Sequence, residues 1–241
     1  MAHLQQLQFV KSISRGLTDD YNNIRIIEIG SYEVNDGVRN FFKNSGYVGV
    51  DLINGPGVDL VCEGDKVNHL DETYDISLSC ECFEHNPNWI KTFENMWRMT
   101  KKGGVVIATC ATAGRLEHGT SRTSSNQSPG TQMVGWDYYK NLSPADFEKK
   151  LPLNDMFSDY FFQINTYSSD LYFFGIRKPE NQSNTFKFDF DKLQNQCEQD
   201  QLELQSVLRK RKRKEKLIPK ILRPLFRRYF KFEKSKNLIE I

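Results

Sequence analysis

Three short stretches of this 241-residue chain hold residue types that do chemistry. In the first, the apolar run Ile26-Ile27-Glu28-Ile29 stops at Gly30, and Ser31, Tyr32 and Glu33 follow. In the second, Asp51 closes the run YVGVD, 21 positions beyond Gly30. A glycine turn after a strand lets a ligand approach the backbone, and an acidic residue about 20 positions on can accept hydrogen bonds from ribose hydroxyls. The third is ECFEHNP at 81–87, which sets Glu81, Glu84 and His85 together. Histidine is the side chain suited to taking a proton near neutral pH. Of the four in the chain, His85 and His118 are the candidates for that role. His3 is expected in a frayed terminus, and His69 is expected to be a solvated bystander. Glu81, Glu84 and His85 could also hold a divalent ion that orients a diol. Their spacing is not distinctive, so no metal ligand is assigned. Cys80-x-Cys82 lacks a second pair at zinc-site spacing.

The turn at Gly30 also bears on the cofactor. A pyrophosphate needs several glycines so that backbone N–H groups can surround it. Tyr32, Glu33 and Val34 crowd this turn, and Glu33 would repel a phosphate. A cationic sulfonium and amine, as in S-adenosylmethionine, suit an acidic turn containing Glu28 better than a dinucleotide does.

These residues need a scaffold of strands. Short runs rich in Val and Ile, without strict alternation, predict strands covered on both faces at 25–29, 47–51, 58–62, 74–80 and 104–110. Helices are expected at 36–45 and at 87–100, where Ile90, Phe93, Met96 and Trp97 recur at helical spacing. A weak leading helix falls within 1–20, and another runs from Ser143-Pro144 to about Leu151. Residues 157–167 and 170–178 form two aromatic strands able to pair as a hairpin. Between the fifth strand and Leu142 lies a long polar insertion, of the kind that is functional or disordered in a compact domain. It contains Arg115, Glu117, His118 and Arg122, and ends on Trp136, Tyr138 and Tyr139, which suit a core or lid role as well as sugar stacking. The expected fold is α/β: a Rossmann-like, mostly parallel seven-stranded sheet with an antiparallel edge, helices on both faces, and a basic helical C-terminal tail. The expected division is a catalytic domain at 1–178, a linker at 179–188 and the tail at 189–241.

Charge divides the chain the same way. Residues 205–236 hold fourteen Lys/Arg against two Glu, a net +12; the rest holds nineteen Lys/Arg against twenty-nine Asp/Glu, a net −10. Within the tail, Ile218, Ile221, Leu222, Leu225 and Tyr229 fall on one face and Lys220, Arg223, Arg227 and Lys231 on another, although Pro219 and Pro224 interrupt the pattern. An anionic membrane surface is the expected partner of 205–236, with nucleic acid less favoured. Five scattered cysteines argue against a disulfide scaffold, and no segment reads as a signal peptide or membrane span. A cytoplasmic protein, peripheral at the inner face of the membrane, is therefore expected.

From about residue 24 to 178 the chain resembles class I S-adenosylmethionine-dependent methyltransferases with the type 11 methyltransferase domain. The stretches that carry the resemblance are E28-I-G-S31, Y47-V-G-V-D51, D59-L-V-C-E-G-D65, Y74-D-I-S-L-S-C-E-C-F-E-H85 and K102-G-G-V-V-I-A-T109. It implies that Glu28, Gly30 and Ser31 face the methionine moiety and that Asp51 binds ribose. Leu52 would flank adenine, Glu63 or Gly64 would approach its edge, and Cys80 and Glu81 would lie beside the sulfonium. Tyr32 departs from the pattern, standing where a second glycine is expected. The segments C82-F-E-H-N-P87 and A113-G-R-L-E-H-G-T120 further resemble methyltransferases of bacterial surface-polysaccharide genes. The expected activity is O-methylation of a sugar or other polar small molecule. The rivals are methylation of RNA and a non-catalytic scaffold tethered by the tail.

Overall fold

The computed structural model describes residues 3–33, 37–180 and 186–217. The middle of the expected linker, part of the segment after Gly30 and the amphipathic stretch expected at 218–232 lie outside these residues.

Helix α1 (Leu4–Leu17) leads into a seven-stranded sheet. Its strands are β1 (Arg25–Ile29), β2 (Gly46–Asp51), β3 (Leu60–Val61), β4 (Tyr74–Cys80), β5 (Thr100–Ala111), β6 (Phe157–Asn165) and β7 (Asp170–Arg177). The spatial order is β3-β2-β1-β4-β5-β7-β6. The first five strands are parallel, and β7 runs antiparallel to both β5 and β6. The order reverses between β1 and β4, so the carboxyl ends of these two strands open a crevice.

Successive side chains of a strand face opposite sides, and each side here has its own core. Ile27, Ile29, Val106, Phe173 and Leu171 pack on one side with α2 (Trp89–Met99), α4 (Pro144–Glu148) and α5 (Leu153–Met156). Ile26, Ile76, Leu78, Ile107, Tyr172 and Phe174 pack on the other side with α1 and the start of α6 (Phe190–Leu217). Both faces being covered explains why the strands read as continuous apolar runs. Arg177 donates to the carbonyls of Trp97, Arg98 and Thr100, tying β7 to the junction of α2 and β5.

Three expected elements differ. The helix at 36–45 reduces to a 3₁₀ turn at Arg39–Phe41. The third strand shortens to Leu60–Val61, and the helix after Ser143 ends at Glu148 before resuming as α5. The polar insertion is not wholly irregular: it holds a 3₁₀ turn at Ser125–Gln127 and the short helix α3 (Pro129–Met133).

Two compact units are distinguished along the chain, 1–201 and 202–241. In the first, Gln201 donates to the carbonyl of Gln5 (2.6 Å) and accepts from Asn165 (2.8 Å). In the second, the described part of α6 exposes Leu202 and Val207 among basic residues. Among the described residues no helix is long and apolar enough to cross a membrane.

Candidate active site

Strand β1 delivers Glu28 and Ile29 to the sheet's switch point, where Gly30 takes φ +85° and turns the chain. A side chain at Gly30 would place its Cβ 2.7 Å from that of Cys82, so only glycine fits here without displacing the segment after β4. The Gly30 and Ser31 N–H groups both donate to the Val50 carbonyl (2.8 and 3.1 Å). Asp51 completes the turn: its carboxylate accepts from the backbone of Tyr32 (3.0 Å) and of Leu52 (2.7 Å). The position of Tyr32 is thus held by the Asp51 carboxylate. The missing second glycine is offset by a carboxylate anchor.

Above these strand ends lies an open cleft, about 900 Å³ with the solvent space at its mouth included. Glu28, Gly30, Ser31, Asp51, Leu52, Gly64, Cys80, Glu81 and His85, nine of the eleven residues singled out from sequence, line it. Glu63 turns its carboxylate to Lys66 (2.5 Å) instead, leaving Gly64 and Cys62 on the wall. His118 stands behind His85, their rings 4.9 Å apart and nearly perpendicular, and Tyr139 packs against both at 5.3 and 5.1 Å. The polar insertion roofs the cleft through Ser128, Gly130 and Trp136. A Cβ at Gly130 would come 3.1 Å from an Asp51 oxygen, so the roof lies close over the expected ribose position.

Carboxylates dominate the cleft. Glu28 is buried and accepts from the Tyr47 hydroxyl at 2.6 Å. Burial pushes its carboxyl up to about 7, against the lowering effect of that hydrogen bond. Burial also raises Asp51, opposed by the N–H groups it accepts from. Glu81 and Glu84 are buried with no hydrogen-bond partner on either oxygen of either residue. Burial, reinforced by mutual and neighbouring negative charge, raises both, Glu84 well above the usual carboxylate range. The His85 ring is held neutral, pushed down to about 3 by burial and by the neighbouring His118. Ser31 Oγ is likewise buried without a partner. An unpaired hydroxyl beside a buried carboxyl fits the amino-acid end of a nucleoside cofactor, which offers both donors and acceptors.

The structure also gathers residues that the sequence did not single out. His3, expected to fray, sits 2.7 Å from the buried Asp170 carboxylate at the head of β7. Arg115 bonds the same Asp170 (3.1 Å) and reaches to 3.7 Å from Glu81. The N-terminus is therefore pinned against the floor of the site. His69 does not line the cleft but is half-buried rather than solvated, its Nδ1 2.7 Å from the Tyr74 hydroxyl. Pro87 precedes α2 rather than opening it.

Sheet order, switch-point cleft and glycine turn define the class I, Rossmann-like methyltransferase architecture. Residues 38–108 match a family model described as a methyltransferase domain. Phosphoethanolamine N-methyltransferase 2 of Haemonchus contortus, in complex with S-adenosyl-L-methionine, shares 15% identity at a TM-score of 0.51. That match covers 72% of this chain and 52%, about half, of the Haemonchus chain. A Haloferax volcanii methyltransferase complexed with the Trm112 activator shares 10% identity at a TM-score of 0.49, covering 74% of this chain and 92% of that one. The 1,6-didemethyltoxoflavin-N1-methyltransferase of Burkholderia thailandensis shares 11% at a TM-score of 0.48, covering 71% and 76%. No protein of curated function matches the sequence.

Proposed function

We propose that the protein methylates a hydroxyl of a polar small molecule, a sugar or glycan precursor, as a step of surface-glycan synthesis. The observation that carries the hydroxyl reading is His85: a buried, neutral ring on the cleft wall, with neither nitrogen bonded to another group. Glu28, Gly30 and Ser31 hold the methionine part of the cofactor, and Asp51 the ribose. Leu52 and Gly64 border the adenine, and Cys80 and Glu81 lie by the sulfonium. The bound cofactor supplies an electrophilic methyl carbon, so that attack by the acceptor oxygen breaks the carbon–sulfur bond and leaves its electron pair on sulfur. The protein's own work is to align that oxygen, exclude water and favour loss of the hydroxyl proton, and His85 and His118 are the groups that act on the acceptor. An RNA acceptor is disfavoured because the chain outside 205–236 carries a net −10 and would repel a phosphate backbone. The segment 205–236 serves to hold the protein at an anionic membrane surface on the cytoplasmic side.

The test is two measurements on the full-length protein. Calorimetry with S-adenosylhomocysteine should show one site per chain. A panel of sugars, nucleotide sugars, amines and RNA, offered with a labelled methyl donor, should transfer label to a sugar hydroxyl. Label on an amine or on RNA would overturn the acceptor assignment. Absence of cofactor binding would leave only the tethered scaffold.

A further inference from the structure

His85 on the cleft wall and two residues behind it gather unsatisfied buried groups. Glu84 is fully buried, and neither carboxylate oxygen meets a donor. His85 is 3% exposed, and neither ring nitrogen is bonded. His118 comes from a different segment, beyond β5, and its Nε2 is also buried and unpaired. One ligating atom from each of the three lies within 4.8 Å of the other two. Buried polar atoms without partners are costly and rare, and three such groups with ligating atoms this close call for a common partner. A neutral imidazole offers one lone pair, so one carboxylate oxygen and one nitrogen of each ring make three donor atoms within reach of a single cation.

The tautomer of His118 supports this. Its Nδ1 lies 3.1 Å from the Leu116 carbonyl, which can only accept. Nδ1 therefore carries the proton, and Nε2 offers its lone pair inward, the arrangement of a metal-ligating histidine oriented by a backbone carbonyl. The nearby Arg115 does not block a cation, because Asp170 and Glu81 engage its guanidinium. Tyr139 closes the far side against both rings, while His85 faces the cleft.

We propose that Glu84, His85 and His118 bind one first-row divalent cation whose remaining coordination positions face the acceptor side of the cleft. Two imidazoles and one carboxylate form a borderline donor set, favouring Zn²⁺, Co²⁺ or Mn²⁺ over Mg²⁺ or Ca²⁺, which take oxygen ligands. The inference rests on the methyl-transfer reading and refines it: the two histidines act on the acceptor as ligands of the ion. Two adjacent open positions suit the vicinal oxygens of a sugar diol. An ion-bound hydroxyl loses its proton to water more readily, and the oxygen that attacks is then the bound alkoxide.

The test is Co²⁺ titration of the chelator-stripped, full-length protein, followed by calorimetry and by visible absorption. One Co²⁺ per chain is expected, with ligand-field bands that shift when a diol is added. Glu84→Gln and His118→Ala should weaken binding at least about tenfold, the lower end of what even an outer-shell loss costs. His69→Ala should not. Retained affinity for S-adenosylhomocysteine shows that each variant is folded. A folded wild type that takes up no Co²⁺, or Co²⁺ affinity unchanged by both Glu84→Gln and His118→Ala, overturns the site. A chain that binds S-adenosylhomocysteine but no Co²⁺ defeats the metal site alone. One that binds Co²⁺ but no S-adenosylhomocysteine defeats the methyl-transfer reading and keeps the metal site.

Discussion

Glu28→Gln should make the ligand-free protein more stable at pH 8 while weakening its hold on the cofactor. The carboxyl is 6% exposed, and burial moves it from an ordinary 4.5 to about 7. A carboxyl raised in the folded state favours folding when protonated. The contribution is whole below pH 4.5, declines as the pH rises from there, and is lost above 7. Integrating that shift, wild type should lose about 2–3 kcal/mol between pH 5 and pH 8 through this group. Glutamine cannot ionise, and its amide oxygen can still accept from the Tyr47 hydroxyl, which lies 2.6 Å from Glu28. Denaturant melts of ligand-free wild type and Glu28→Gln at pH 5, 6, 7 and 8 should show a gap that widens in favour of the variant. The proposed partner of ionised Glu28 is the cofactor's ammonium, so S-adenosylhomocysteine should bind the variant more weakly, most clearly at pH 8. A stability gap that stays flat from pH 5 to 8 would refute the reasoning, because Glu28 would then ionise in the fold at no cost.

Asp51→Ala should weaken S-adenosylhomocysteine by about 1.5–3 kcal/mol and also lower the melting temperature, since the Tyr32 and Leu52 N–H groups lose their acceptor; calorimetry giving unchanged affinity in a folded variant removes Asp51 from the site. His85→Ala and His118→Ala should each cut turnover by about 10²–10⁴ with cofactor affinity preserved, and near-native turnover in both would mean neither acts on the acceptor. Deleting 205–241 should spare cofactor binding, since the first compact unit ends at Gln201. The same deletion should abolish flotation on anionic vesicles at low salt, where screening is weak; equal flotation of both forms refutes the membrane role of the tail.

The parallel strands were legible because their burial on both faces leaves a simple signature of β-branched runs ending at turn residues. The helix expected at 36–45 was not, because its local pattern lost to tertiary pinning. Phe42 is drawn into the core beside Tyr21, with rings 5.2 Å apart. Arg39 lies over the Tyr47 ring and pairs with Asp59. Asn44 adopts φ +66°, and Gly46 must return to bond the Ile24 carbonyl. A segment tied at so many points has room for one 3₁₀ turn. The third strand shortened because it is an edge strand with a single partner, and short edges resist unwanted pairing.

The cleft wall of Glu28, Gly30, Ser31, Asp51, Leu52 and Cys80 could be read because these residues stand at or just beyond the ends of strands, where position along the chain fixes position in space. The acceptor wall could not, because it is assembled across the chain. His3 meets Asp170 across nearly the whole domain, and His118 meets His85 from the far side of β5. Nothing in a local window reports such a pairing. Burial was also invisible: an acidic residue after a strand reads as a solvated cap, yet Glu81 is buried at φ +51°, held there by its N–H bond to the Thr109 carbonyl. A left-handed glutamate and an unpaired buried one beside it each cost the fold free energy. The E-x-x-E-H spacing of Glu81, Glu84 and His85 and the polar group around His118 were hints, but spacing alone does not separate a surface loop from a ligand shell. Strain and unpaired charge persist where a fold holds groups ready for something it does not itself contain.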